Sequence, residues 1–486
     1  MLTNITLENF KAFQKLNNLK IKPVTILCGT NSCGKSSILQ SILLMKQTLE
    51  SKNPNQNLLL NGRFTKLGYF EDIIYQKNKD NEVKFVLDFV DNNKIIDIYN
   101  SLNISHNYAF FSHVEISFKK SLNGNNRLNE NKGYRISKIN MNIDPIGDFT
   151  AQNVGNVLIT HTEDNNYNII WKNYEIDGKP SGEANFKINF SNLFLFDLDS
   201  SKNKSIYEIL QTLAFSDLIT MFSRLNAVLK DMYSKYTYLG PLRGEPEREY
   251  IYRDEVVEIG NKGENAAFLY LSEQNKPIEN HFFYNKIKDE FESINNLSLK
   301  EGLNKWFNLM QMGNFDGEII NKIIYLSLNA SKFDETKVGI ADVGFGVSQI
   351  FPILLEGLRM PIGATLLLEQ PEIHLHPNLQ MKMSDYFIAL ALSGKRVIAE
   401  THSDHIVNRL VRRIVEDETH NLKDLIGIYF IKPSENGAIY EEINIDDTKG
   451  ITNWPDDFFD QTASESMKIM QAGLKKRKNQ RNNINA

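Results

Sequence analysis

Gly29-Thr-Asn-Ser-Cys-Gly-Lys-Ser36 follows the apolar run Val24-Thr-Ile-Leu-Cys28 and leads into Ile38 to Leu49, which has helical spacing. The stretch fits G-x-x-x-x-G-K-S in full, between a strand and a helix, which is the context the pattern requires. Gly29 and Gly34 let the backbone curl until its N–H groups point at phosphate oxygens. The helix N-terminus adds positive potential. Asn31, Ser32, Cys33, Gly34, Lys35, Ser36 and Ser37 are therefore the expected nucleotide contacts. Lys35 reaches the β- and γ-phosphates, and the Ser36 hydroxyl is placed for Mg²⁺. Cys33 lies inside the loop, where thiol alkylation should block nucleotide entry. A tolerated small residue is the plainer reading of it.

Upstream, residues 1–13 alternate apolar and polar (Leu2, Ile5, Leu7, Phe10), the pattern of an edge-type strand. Downstream the texture changes. Short alternating segments at Val83–Phe89, Val114–Phe118, Tyr167–Trp171 and Phe186–Phe190 predict an antiparallel, partly exposed β region. Residues 206–233 predict a long amphipathic helix or helix pair. Residues 283–312 also read as helix, with Trp306 in the core. From 340 strands and helices alternate: helix Gly346–Arg359, strand Ala364–Leu368, helix Asn378–Leu392, strand Arg396–Ala399, helix His405–Val415. That alternation predicts α/β with a mostly parallel sheet.

Three features of this half match the phosphate loop in order. Gly344-Phe-Gly-Val-Ser-Gln349 opens a helix. Ala364-Thr-Leu-Leu-Leu-Glu-Gln-Pro-Glu372 is a buried strand ending in acid, with Glu369 placed to hold Mg²⁺ beside Ser36. His402, in Thr401-His402-Ser403, follows the next strand. Each is weak alone, but their order resembles the ABC-type ATPase head of SMC-like proteins, DNA-repair ATPases and the overcoming-lysogenization-defect (OLD) family. Asn9-Phe-Lys-Ala-Phe13 resembles the SMC-like first strand, and Glu372-Ile-His-Leu-His-Pro377 the extension of the OLD-related branch. Tyr238-Leu-Gly-Pro-Leu-Arg243 with Arg248, Ala341 to Gln349, Glu400 to His405 and Trp454 to Gln461 resemble boxes of bacterial ATPases of the kind found in antiphage defence systems. The resemblance covers about 1–75 and 236–465.

That resemblance implies an ABC-type head, a mixed sheet with flanking helices, split by a β-rich and helical insertion. Residues 1–80 and 313–465 would form the head, 81–312 the insertion and 466–486 a basic, disordered tail. Gly346 and Ser348 would cap the γ-phosphate of a neighbouring subunit, His402 would contact the same phosphate, and Gln76 stands near the place of a Q-loop glutamine. With one phosphate loop and one signature per chain, a complete site implies a second copy, as a nucleotide-sandwich dimer or higher homo-oligomer.

One departure matters. Such heads carry an acidic pair before the proline, and here the pair is Glu369-Gln370. An amide cannot take a proton from attacking water. Three readings stay open: Glu372 or Glu400 serves as base; Gln370 only orients water and hydrolysis is slow; or the chain binds ATP and barely turns over. His374, His376, His402 and His405 also raise a zinc site, for which the branch's extension is the plainer explanation. Arg243 and Arg248 read equally as phosphate contacts and as surface arginines.

Composition bounds the rest. The chain has 486 residues, 41% hydrophobic, with net charge −5 and two cysteines. Length alone suggests about three folding units. Mild acidity argues against coating nucleic acid by charge, and two cysteines argue against a disulfide scaffold. No run approaches the ~18 apolar residues of a membrane span, and no signal peptide is visible, so a cytoplasmic protein without membrane contact is expected. No long heptad run and no Asp-x-Asp nuclease cluster is present; Asp446-Asp447 reads as a turn. The preferred expectation is a dimeric ATP-driven switch for a separate effector protein. The alternatives are a DNA-engaging repair ATPase, with the basic tail on phosphates, and a non-hydrolysing scaffold.

Overall fold

The computed structural model describes residues 1–52, 56–89, 110–121, 133–144, 155–163, 165–176, 179–191, 193–194, 196–198, 206–251, 258–331, 334–446, 448–455, 465 and 467–474. Strands β1 (Leu2–Phe10) and β2 (Phe13–Lys20) form a hairpin. β3 (Val24–Gly29) runs through the phosphate loop into α1 (Lys35–Leu49). After α2 (Phe70–Ile73) come β4 (Val83–Phe89), β5 (Phe110–Lys120), β6 (Tyr134–Asp144), β7 (Gly155–His161), β8 (Asn166–Ile176), β9 (Lys179–Phe190) and β10 (Phe196–Leu198). α3 (Ile206–Ser234) leads into β11 (Tyr236–Leu239) and β12 (Tyr250–Ile251). Then follow α4 (Ala266–Glu273), β13 (His281–Asn285), β14 (Glu290–Ile294), α5 (Leu299–Leu309), β15 (Phe315–Ile320), β16 (Ile323–Ser331) and β17 (Asp334–Gly339). The last part holds α6 (Phe345–Arg359), β18 (Thr365–Glu369), α7 (Pro377–Leu392), β19 (Arg396–Glu400), α8 (Asp404–Glu416), α9 (Leu422–Leu425), β20 (Ile426–Ser434) and β21 (Gly437–Glu442).

One 15-stranded mixed sheet organises the α/β fold, in the order β10-β9-β8-β7-β6-β5-β4-β1-β2-β21-β20-β3-β19-β18-β11. The pairs β20–β3, β3–β19, β19–β18 and β18–β11 are parallel. The strands from β4 to β10 form an antiparallel meander, and β4 pairs with β1, so the meander continues the same sheet. β1 therefore lies between β2 and β4. It is not the edge strand that its alternation suggested, because alternation reports one buried face and is silent about both neighbours along the hydrogen bonds.

The parallel strands are buried on both faces, as strands flanked by helices must be. Leu366, Leu368, Val397 and Ala399 join the core under α6 and α7. Leu367 and Ile398, one residue out of step, join the core that includes α1 and α3. The first core takes in Trp306, 1% exposed, together with α5 and β13–β16.

Two expectations are corrected. Residues 281–294 form the hairpin β13–β14; the helix starts only after Ser298. Ser298 Oγ accepts from Glu301 N at 3.2 Å and Glu301 Oε2 accepts from Ser298 N at 2.7 Å, a capping box that sets the start. In the tail, residues 467–474 are helical; 475–486 lie outside the described residues, as does Asp447. Asp446 Oδ1 accepts from Thr448 N and Lys449 N at 2.9 and 3.0 Å, a local turn.

Candidate nucleotide site

The phosphate loop needs its glycines at two points. Gly29 has φ 145°, and a Cβ there would lie 2.0 Å from Ile431 O on the neighbouring strand. Gly34 has φ 105°, and its Cβ would meet Ala12 Cβ at 2.8 Å, under the β1–β2 turn. Any side chain at these points forces backbone apart. Lys35 is 3% exposed; its Nζ donates to Gly29 O at 3.2 Å and Thr30 O at 2.7 Å. The ammonium is thus curled into the loop, where loop carbonyls satisfy it. Cys33 is buried with Sγ 3.8 Å from Lys35 Nζ. Asn31 and Ser32 are exposed at the mouth, and Ser37 N donates to Gly34 O at 3.0 Å.

Strand alternation delivers the acids to the same place. Glu369 and Glu400 are register partners at the ends of β18 and β19. They follow Leu367 and Ile398 by two residues, so they project to the face that α1 covers. Ser36 Oγ donates to Glu400 Oε1 at 3.0 Å. Tyr238 OH donates to Glu369 Oε1 at 2.9 Å. Glu400 is 5% exposed, and its Oε2 is buried without a partner. Burial pushes the Glu400 carboxyl above the ordinary range, and the charges of Glu369 and Glu372 push the same way, while the Ser36 hydrogen bond opposes them. Burial also raises Glu369, against the Tyr238 hydrogen bond and the nearby charge of Lys11.

Glu372 is differently engaged. Its Oε1 accepts from His402 N at 2.7 Å and its Oε2 from Thr401 Oγ1 at 2.9 Å. It clamps the turn after β19 and so sets where His402 stands. Burial raises its carboxyl despite these donors. His402 is partly buried, and burial with the Lys35 charge lowers its imidazole. Gln370 has φ 46°, and its N–H donates to Glu400 O at 2.8 Å, tying the two strand ends together. Arg243, 4% exposed, donates through Nη2 to Glu369 O at 2.9 Å and Gln370 O at 3.2 Å. Burial lowers its guanidinium to about 10. Arg248 instead pairs with Asp342 at 2.7 Å on the surface.

The fold therefore gathers Lys35, Ser36, Glu369, Gln370, Glu372, Glu400 and His402. It does not gather Gln76, Gly346 or Ser348 with them. Gln76, φ 51°, is exposed and donates to Tyr75 OH at 3.1 Å. Ser348 is buried at the start of α6, where its Oγ donates to Phe345 O at 2.8 Å; Gly346 packs near His374 O. Among the described residues no hydrogen bond links this helix start to the phosphate loop. Nor does any group of three or more His, Cys, Asp or Glu gather as a metal site among them. Tyr238, Thr401 and Lys11 belong to the site's surroundings but were not singled out from sequence. Tyr238, Lys11 and Thr401 lie within the boxes Tyr238–Arg243, Asn9–Phe13 and Glu400–His405, the available signal.

Residues 1–407 match the AAA ATPase domain family. The chain belongs to that family. Residues 423–469 of this AAA ATPase match a second family, a protein of unknown function (DUF3696). No curated protein matches the chain. Solved structures similar to it include an SMC head domain from Thermotoga maritima, at 10% identity and TM-score 0.37, covering 91% of this chain and 99% of that one. A second is an SMC head bound to the C-terminal winged-helix domain of ScpA, at 11% identity and TM-score 0.40, covering 92% and 98%. A third is an SMC head with an extended coiled coil bound to the C-terminal domain of ScpA from Pyrococcus furiosus, at 11% identity and TM-score 0.39, covering 97% and 99%. Among the described residues no helix is long and apolar enough to cross a membrane.

Proposed function

We propose that this AAA ATPase binds ATP with Mg²⁺ at the phosphate loop, hydrolyses it slowly and closes into a two-fold dimer that signals to a separate effector protein. The observation that carries the reading is the meeting of Ser36 with Glu400 across the sheet, beside Lys35 and Glu369. Carboxylates beside a loop that cradles phosphate repel its ligand unless a cation lies between them or one takes a proton from water. The donors suit Mg²⁺: one hydroxyl and two carboxylates, one of which, Glu400, has a buried oxygen with no partner. Mg²⁺ prefers hard oxygens and is usually held by one or two carboxylates plus substrate phosphates. Ser36 with one or both of Glu369 and Glu400 would hold it, and when bound it neutralises charge on the phosphates.

Slow turnover follows from Gln370. Its amide can orient water but takes no proton. Glu372 already uses both oxygens on Thr401 and His402, which supports a positioning residue rather than a base. Glu369 and Glu400 remain to share the metal and the proton.

The dimer rests on chain economy. Among the described residues no hydrogen bond joins the helix start at Gly346 and Ser348 to the phosphate loop of its own chain, and Phe345 beside it is 51% exposed. An N-terminus with unfilled N–H groups suits the γ-phosphate held by a second copy. The resemblance to OLD-related defence ATPases is the ground for placing the effector in antiphage defence. Turnover by wild type, Gln370→Glu and Lys35→Ala, with mass measured with and without ATP, tests the reading. Slow turnover that is faster in Gln370→Glu and abolished in Lys35→Ala supports it. Turnover that survives Lys35→Ala would overturn it.

A further inference from the structure

We infer that Glu400, at the end of β19, is the carboxylate that binds Mg²⁺ beside Ser36, while Glu369, the strand-end acid in the ordinary position, stands off the metal. The inference rests on the ATP-binding reading above and assigns the duties that it leaves shared.

Three observations carry it. The first is order in the sheet. β19 lies directly beside β3, which feeds the phosphate loop, and β18 is one strand further away. Strands are about 4.8 Å apart. Glu400 therefore starts one strand nearer to Ser36 than Glu369 does. The second is spacing. Mg²⁺ takes near-octahedral oxygens at about 2.0–2.1 Å, so neighbouring ligands stand about 3 Å apart, the bond length times √2. Ser36 Oγ and Glu400 Oε1 are 3.0 Å apart. A cation can enter at that edge with little movement of either side chain. The third is what each carboxylate already does. Glu369 Oε1 is held by Tyr238 OH at 2.9 Å, from β11 on the side of β18 away from β19. Glu400 Oε1 is held by Ser36, itself an expected metal ligand, and its Oε2 is buried with no partner. A buried, unfilled carboxylate oxygen is costly unless something positive or a donor arrives.

This arrangement leaves Glu369 as the acceptor for hydrolysis. It adjoins Gln370, whose amide can hold the water. The water O–H bond breaks and its proton passes to the Glu369 carboxylate. The water oxygen forms a bond to the γ-phosphorus as the bond to the bridging β-phosphate oxygen breaks, and ADP leaves. A chain lacking the usual second glutamate thus keeps two working carboxylates by drawing one from the adjacent strand.

The test measures Mn²⁺ binding by electron paramagnetic resonance, in the presence of a non-hydrolysable ATP analogue, for wild type, Glu400→Gln and Glu369→Gln. Affinity of the same analogue without metal serves as the control for folding. Turnover is read alongside. Glu400→Gln should lower Mn²⁺ affinity at least tenfold with metal-free analogue binding within threefold of wild type. Glu369→Gln should keep Mn²⁺ affinity within threefold but lower turnover at least tenfold. If Glu400→Gln does not fold, Glu400→Asp, which keeps the charge and withdraws the oxygens by one methylene, is read by the same criterion. Loss of Mn²⁺ in Glu369→Gln, or retention of Mn²⁺ in the Glu400 variant, would overturn the assignment. Failure of wild type to bind the analogue at all would instead overturn the ATP-binding reading.

Discussion

At Gly29 the chain has no room for a methyl group. Gly29→Ala would drive a Cβ into Ile431 O, which is backbone and cannot rotate away. The expected cost is about 3 kcal/mol, from overpacking and a strained φ together, measurable by denaturant unfolding. Glu372 makes a different prediction. Glu372→Gln replaces one acceptor oxygen with an NH₂ that cannot accept from Thr401 or His402. His402 should lose its position, so turnover should fall about tenfold, or about 1.4 kcal/mol, with analogue binding within threefold. The acidic group also has a pH signature. Burial raises Glu369, Glu372 and Glu400. Where a folded carboxyl has a raised pKa, the folded state holds more protons between the unfolded and folded values, so stability falls as pH rises through that window. At pH 7 the nucleotide-free double variant Glu369→Gln/Glu400→Gln should melt above wild type. That advantage should shrink as pH is lowered through the raised carboxylate range. A melting difference that does not change with pH would contradict the electrostatic account.

Helix placement shows what was legible in the chain and what was not. α1, α6, α7 and α8 could be read because each begins at a local signal: the phosphate loop, Gly344, Pro377 and Ser403, whose Oγ accepts from Ile406 N at 3.1 Å. β13 and β14 could not: His281 and Phe283 are buried at the two-residue spacing of a strand, but five-residue strands are too short to stand out beside the helical pattern of 299–309. Ser298, three residues before Glu301, was the sign that the helix starts late. Ser298→Ala should cost about 1 kcal/mol, read as a lower melting temperature. α7 and α8 are joined by a contact that no window reveals. Asp385, 3% exposed, accepts from Arg409 Nη2 at 2.8 Å and Arg413 Nε at 2.9 Å. Asp385→Ala leaves two guanidinium groups partly unpaired and should cost about 3–5 kcal/mol. The site divides in the same way. Lys35, Ser36, Glu369 and His402 were visible because each sits in a short motif. The contacts of Tyr238 with Glu369 and of Glu372 with the His402 turn depend on pairing between distant strands, which spacing along the chain does not encode.

On the scale of the whole molecule, one sheet connects the phosphate loop to the meander. β1 pairs with both β2 and β4, and the β1–β2 turn lies against Gly34. The meander β4–β10 therefore joins the phosphate loop through β1 and the β1–β2 turn. The proposed second copy belongs to the same scale, since among the described residues no hydrogen bond joins the helix start at Ser348 to the phosphate loop. ATP that binds the closed pair better than the open one shifts the equilibrium toward closure by that difference alone. With Mg²⁺ and a non-hydrolysable analogue, light scattering should report about twice the monomer mass, and monomer when the analogue is omitted.

Metal binding, turnover and pairing all depend on Lys35 and its loop holding the phosphates. The most direct measurement is equilibrium titration of wild type and Lys35→Ala with a fluorescent ATP analogue and Mg²⁺. The account predicts saturable binding by wild type and at least tenfold weaker binding by Lys35→Ala, with the two melting alike without nucleotide. Equal binding by both would contradict it.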